Sequence, residues 1–137
     1  MRIVFADAGY WIALINARDQ LHVEATAASA QLGPRQIVTS EMVLAEALNS
    51  LAGFGDYTRS RAARIIQEVI DDGELEVVTQ TSDLFRRALA LYRDRSDKDW
   101  SLTDCASFVI MTERRITEAL THDRHFEQNG YRALLRN

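Results

Sequence analysis

Arg2-Ile3-Val4-Phe5-Ala6-Asp7 is a short apolar run closed at its far end by a carboxylate. Residues 3–6 carry no charge and include β-branched and aromatic side chains, which suits a strand covered on both faces in a parallel sheet. Asp7 then stands at the carboxyl end of that strand, the edge at which open α/β sheets bind their ligands. Asp is also a favoured helix N-cap, and the residues that follow, Ala8-Gly9-Tyr10-Trp11-Ile12-Ala13-Leu14-Ile15, read as helix. Taken alone, Asp7 is an even choice between cap and ligand.

Working outward, a short helix is expected over residues 10–15, broken by residues 16–20, and an Ala-rich helix over 22–32 that Gly33-Pro34 ends. A brief second strand covers 37–39. Ser40 can cap a helix running to Leu51, with Val43, Leu44, Ala47, Leu48 and Leu51 on its apolar face and Glu46 off it. After a loop at Gly53, Gly55 and Asp56, the residues Ala62, Ile65, Ile66, Val69 and Ile70 give the clearest helical period in the chain. A third strand over 75–79 leads into a helix over 82–95, whose core face reads as Phe85, Ala88, Leu89 and Tyr92. From Ser101 a further helix carries Cys105, Phe108, Val109 and Thr112 on one face and closes at Arg114-Arg115, favourably for the helix dipole. A fourth strand at 118–120 ends in Thr121-His122-Asp123-Arg124-His125-Phe126, and an edge strand is expected at 132–135. Strands alternating with helices in this way predict one α/β domain over residues 1–137, a three-layer α/β/α sandwich with a central, mainly parallel sheet of four to five strands.

Right-handed crossovers bring the carboxyl ends of the strands and the amino ends of the following helices to one edge of such a sheet. Asp7 and Asp123 end strands, Asp104 lies in the first turn of a helix, and Glu46 lies about 9 Å along its own. Each has an ordinary reading. Ser101-Leu102-Thr103-Asp104 matches a capping box, Asp123 can cap a turn around Phe126, and Glu46 can simply be solvated. As a set they mean more, because clustered carboxylates repel and raise one another's pKa unless a cation neutralises them. Hard oxygen ligands select Mg²⁺ or Mn²⁺. His122 and His125 flank Asp123 as part of a zinc pattern, but no Cys or third well-spaced His completes it. No glycine-rich dinucleotide or Walker sequence follows the first strand, and Asp7-Ala8-Gly9 lacks the second acid of a phosphoaspartyl enzyme.

Composition fits this reading. The chain of 137 residues is 47% hydrophobic and 26% charged, enough to bury a substantial core. Its net charge of −4, from 20 Asp and Glu against 16 Lys and Arg, supplies no bulk positive field for nucleic acid. With the four clustered acids set aside, the remaining acids and bases balance. No apolar run reaches membrane-span length and no secretory signal is evident at the start, so a cytoplasmic protein is expected. The single cysteine, Cys105, cannot form an internal disulfide and reads as a packed thiol.

Four pieces of sequence, in order, resemble the PIN-domain family, specifically the small VapC-like ribonuclease toxins of bacterial toxin–antitoxin pairs. They are Ile3-Val4-Phe5-Ala6-Asp7, then Glu41-Met42-Val43-Leu44-Ala45-Glu46-Ala47-Leu48, then Ser101-Leu102-Thr103-Asp104-Cys105-Ala106-Ser107-Phe108, and Leu120-Thr121-His122-Asp123-Arg124-His125-Phe126. The resemblance implies an endoribonuclease dependent on Mg²⁺ or Mn²⁺, often homodimeric, with RNA as substrate and a cognate antitoxin protein as partner. Carried over residue by residue, Asp7, Glu46, Asp104 and Asp123 would hold the metal, and the Thr121 hydroxyl would position a carboxylate or water. The family pattern does not require His122 or His125. Asp97 and Asp99 could add an outer acid, although a solvated loop is the simpler reading. Arg59, Arg61, Arg64, Arg114 and Arg124 are candidate phosphate contacts. The expected reaction is phosphodiester hydrolysis by metal-activated water, leaving a 5′-phosphate and a 3′-hydroxyl. A catalytically silent binding module of the same fold and a metal-dependent phosphatase are the competing expectations.

Overall fold

Val4, Phe5 and Ala6 have no exposed surface, as expected of a strand with helices on both sides. The structure, a computed structural model, describes residues 1–136. Strand β1 (Arg2–Ala6) is followed by α1 (Ala8–Ile15), α2 (His22–Gln31), β2 (Arg35–Ser40), α3 (Glu41–Leu51), α4 (Asp56–Asp71) and β3 (Leu75–Val78). The second half contributes α5 (Ser82–Asp94), α6 (Leu102–Arg114), β4 (Glu118–Leu120), α7 (Arg124–Gln128) and β5 (Arg132–Ala133). The five strands form one sheet in the order β3-β2-β1-β4-β5, and every pairing is parallel.

β1 is therefore the middle strand. From it the chain travels outward through β2 and β3, then returns to the other side of β1 for β4 and β5. Helices α1 to α4 pack among themselves, and α6 packs on α5 and α7, as right-handed crossovers on opposite faces require. β1 and β4 are neighbours whose onward connections run opposite ways along the sheet. That is the switch point at which such sheets open a crevice, and Asp7 and Thr121 stand directly beyond these two strands.

Local chemistry accounts for the helix starts. Ser40 accepts a hydrogen bond from the Val43 amide, Thr81 from Leu84, and Ser101 from Asp104. The α6 cap is a complete capping box, with the Asp104 carboxylate accepting the Ser101 amide in return. Arg115 ends α6 in the left-handed conformation with φ 57°. The side chain of Arg2 forks onto both oxygens of Glu118 at 2.9 and 3.0 Å, tying β1 to β4 at the end remote from Asp7.

Several expectations are corrected. α1 begins at Ala8, β2 spans six residues, and β5 covers only Arg132–Ala133. The short helix α7 replaces the expected turn around Phe126, whose ring is fully buried edge-on to Phe108. The larger correction is α5. Its buried residues are Leu84 and Ala88, with Leu91 packed against the core, whereas Phe85, Leu89 and Tyr92 are 44, 49 and 52% exposed. Thr112 is also exposed, its hydroxyl 2.7 Å from that of Tyr131, and Ile70 lies in solvent. Cys105 is buried as expected. Among the described residues no helix is long and apolar enough to cross a membrane.

Candidate metal centre

Asp7 leaves the end of β1 with its amide bonded to the Leu120 carbonyl of β4, 3.2 Å away. Its backbone occupies the N-cap position of α1, but its side chain makes no capping hydrogen bond. The carboxylate instead accepts the Thr121 hydroxyl on Oδ2 at 2.9 Å. Thr121 in turn accepts the Asp123 amide at 3.0 Å, so one buried hydroxyl joins the acid after β1 to the acid after β4. A second buried hydroxyl steadies the strand end, with Thr39 donating to the Ala6 carbonyl at 2.8 Å and accepting the Trp11 indole N–H at 3.2 Å. Thr39 and Trp11 carry no sequence signal beyond their apolar surroundings.

Asp104 and Asp123 meet through a residue that sequence reasoning left without a role. His125 Nδ1 lies 2.9 Å from Asp104 Oδ2 and 3.3 Å from Asp123 Oδ1. Asp104 Oδ2 also accepts the Ser101 amide at 3.1 Å, and Asp123 Oδ1 accepts the His125 amide at 2.9 Å. The capping reading and the site reading of Asp104 and Asp123 are thus compatible, because capping uses one oxygen of each carboxylate. The spacing of Asp123 and His125 signals an Asx-type turn, but nothing local in the sequence points His125 at Asp104.

Glu46 projects from α3 toward α6, half-buried, with the Thr103 hydroxyl as its hydrogen-bonding neighbour. An open groove of about 450 Å³ runs beside it, lined by Met42, Ala45, Asn49, Ser50 and Thr103. His122 is exposed and lies outside the cluster, and Asp97 and Asp99 are exposed in the loop before α6, with Asp97 forked onto Arg95. The candidate arginines are dispersed: Arg61 donates to the Ile15 carbonyl at 2.9 Å and Arg114 pairs with Glu76 at 2.6 Å. Arg59 and Arg64 are exposed on α4, and Arg124 is exposed beside Asp123.

The electrostatics follow from this packing. Asp7 and Asp104 are only 7 and 6% exposed. Burial pushes the Asp7 carboxyl up to about 7 against the lowering effect of the Ala8 amide and Thr121, with Asp104 and Glu46 adding repulsion. Burial likewise raises Glu46, helped by the charges of Asp104 and Asp123, and raises Asp104 despite its bond to His125. Among the described residues no Lys or Arg side chain forms a salt bridge with any of these four acids. Carboxylates gathered with Asp7 and Asp104 buried, and with no Lys or Arg paired to them among the described residues, are a donor set that fits a hard divalent cation. Ligand atoms of Asp104, Asp123 and His125 lie within 4.8 Å of one another.

Comparison with known proteins gives a consistent picture. A family model described as the PIN domain matches residues 4–130. The 23S rRNA-specific endonuclease VapC20 of Mycobacterium tuberculosis, in strains CDC 1551 / Oshkosh and H37Rv, is 29% identical over 132 residues, covering 94% of this chain and 95% of the relative. The crystal structure of Mycobacterium tuberculosis VapC20, described as a sarcin–ricin loop cleaving toxin, superposes with a TM-score of 0.82 at 28% identity, covering 93% of this chain and 95% of that one.

Proposed function

The chain belongs to the PIN-domain family of metal-dependent nucleases, and from that premise we propose that it is the endoribonuclease toxin of a toxin–antitoxin pair, with Asp7, Glu46, Asp104 and Asp123 as its metal ligands. The single observation that carries the site assignment is the cluster of four acids at the sheet's switch point with no Lys or Arg salt bridge among the described residues. Bound Mg²⁺ or Mn²⁺ would lower the pKa of a water for attack on phosphorus and offset charge on the phosphate.

The chain's own groups do the positioning. Thr121 holds one oxygen of Asp7 by donating its hydroxyl proton, and it fixes the turn that carries Asp123 by accepting that residue's amide. The Ser101 amide holds one oxygen of Asp104. Glu46 forms the other wall of the site, and the groove along it offers Asn49, Ser50 and Thr103 to a polar substrate. Because the net charge is −4, affinity for RNA has to come from the site rather than from long-range attraction.

By analogy with the relative's named target, the substrate is 23S ribosomal RNA, cut at its sarcin–ricin loop. The cytoplasm is the compartment where that RNA and a cognate antitoxin meet the enzyme. A homodimer belongs to the same reading, and the exposed Phe85, Leu89 and Tyr92 stripe of α5 is a surface on which a second copy can seat.

Purified chain incubated with ribosomal RNA and Mn²⁺ or Mg²⁺ is expected to cut it at a discrete position and to stop on addition of chelator. Asp104→Asn is expected to lower the cleavage rate by at least about 100-fold, the upper end seen when even an outer partner of a metal is lost. Unchanged cleavage by Asp104→Asn overturns the site assignment. Hydrolysis of phosphomonoesters in preference to RNA would favour a phosphatase, and saturable Mn²⁺ binding without cleavage of any RNA would favour a silent binding module.

A further inference from the structure

Resting on the metal-centre reading above, we propose that the His125 imidazole is a positioning group for that centre, a donor that decides which oxygen of Asp104 faces the cation. The geometry is specific. Asp104 Oδ2 receives two groups, the Ser101 amide at 3.1 Å and His125 Nδ1 at 2.9 Å. Asp123 Oδ1 receives the His125 amide at 2.9 Å and has Nδ1 at 3.3 Å. One oxygen of each acid is therefore fully engaged on the protein side, and Oδ1 of Asp104 and Oδ2 of Asp123 accept no protein hydrogen bond among the described residues. A carboxylate can rotate about its last bond and exchange its two oxygens. A donor fixed on one oxygen removes that freedom and presents the other. Nδ1 also lies 3.3 Å from Asp123 Oδ1, so the imidazole sits between the residues that follow β4 and the amino end of α6.

With Asp104 as a carboxylate, the form that binds a cation, the arrangement requires the proton on Nδ1, since an ionised Oδ2 can only accept. It makes His125 a neighbour of the metal ligands and not a ligand, which separates this inference from the zinc pattern suggested by His122 and His125. The side chain is not what builds α7. That helix is capped by Asp123 through the His125 backbone amide, and it is anchored by the buried Phe126 ring. Removing the imidazole therefore leaves the helix its cap and its anchor.

Two substitutions separate the hydrogen bond from the ring. His125→Phe keeps a ring and removes the donor. His125→Asn removes the ring and keeps an N–H donor attached to Cγ, where Nδ1 is attached in histidine. Mn²⁺ is titrated into each protein by calorimetry, with circular dichroism and thermal melts recorded alongside. His125→Phe is expected to bind Mn²⁺ roughly 10–100-fold more weakly at unchanged stoichiometry, the range for loss of an outer hydrogen-bond partner, and His125→Asn to recover most of that loss. The Mn²⁺ concentration needed for half-maximal RNA cleavage should shift in the same order. A loss of fold alone would lower the binding stoichiometry and leave the affinity of the remaining sites intact. Wild-type affinity in His125→Phe overturns the inference, as does His125→Asn binding as weakly as His125→Phe, which would make the ring nitrogen itself a ligand. If His125→Phe does not fold, His125→Asn decides: affinity near wild type supports the role, and a loss of about ten-fold or more defeats it. Absence of Mn²⁺ binding by the wild-type chain would instead defeat the metal-centre reading itself.

Discussion

Asp7 and Asp104 exchange the roles that their positions advertise. Asp7 sits where an N-cap belongs and does not cap with its side chain, whereas Asp104 completes a capping box and still joins the cluster. Sequence could place both at helix starts, because capping is local. It could not say where the second carboxylate oxygen goes, since that depends on Thr121, His125 and other residues distant in the chain. The raised Asp7 pKa makes a prediction with a definite sign. Its folded value of about 7 lies above the ordinary value of 3.8, so between those values the folded chain holds a proton that the unfolded chain has lost. That contribution to stability is fully present below about pH 4 and disappears as pH rises through about 7, on the order of 4 kcal/mol for a shift of this size. In chelator, Asp7→Asn should lack this slope. Its stability relative to wild type should grow from pH 4 to pH 8, read from urea melts across that range. A constant difference across the range would show that Asp7 ionises as an ordinary exposed acid.

Secondary structure elements were legible where one face is apolar and one polar, and ambiguous where two seams are apolar. In α5 the seam of Leu84, Ala88 and Leu91 and the stripe of Phe85, Leu89 and Tyr92 follow the same helical spacing. The larger side chains of the stripe give it the character of a core face, but it is the seam that packs inward. Only the position of α6 distinguishes them, and that is tertiary information. β1 posed no such problem, because a strand buried on both faces has no face to choose. Leu84→Ala is expected to cost about 2–5 kcal/mol through the cavity it opens. Leu89→Ala should change the stability of dilute protein by no more than about 0.5 kcal/mol. Urea unfolding of the two variants checks this, and equal losses would return α5 to the face read from sequence. If a second copy does seat on the stripe, Leu89→Glu should shift the mass measured by light scattering toward the monomer without lowering the unfolding midpoint of dilute protein.

At the scale of the whole molecule, the parallel order β3-β2-β1-β4-β5 is what brings four acids, far apart in the chain, to one edge of the sheet. The crossover rule made that convergence readable before any contact was known: strand ends and helix starts had to share an edge. The strand order itself, with β4 beside β1, was not readable from local pattern, and it is this order that lets Thr121 reach Asp7. The same gathering is an energetic liability, because it buries Asp7 and Asp104 close to other acids without Lys or Arg salt bridges among the described residues. A cation that neutralises them should therefore stabilise the fold as well as the reaction. At a free Mn²⁺ concentration of about 100 times its dissociation constant, binding to the folded chain alone adds about 2.7 kcal/mol. For a chain of this size that corresponds to a rise in Tm of roughly 10 °C. The rise should be largest at pH 8, where Asp7 has shed its proton, and smaller at pH 5.5, where the cation must compete with that proton. Differential scanning fluorimetry with and without Mn²⁺ at constant ionic strength measures it directly. Asp7→Asn should abolish most of the rise even though its metal-free form melts higher than wild type at pH 8. A wild-type Tm unmoved by saturating Mn²⁺, or an equal rise in Asp7→Asn, would mean that the four acids do not form one cation site.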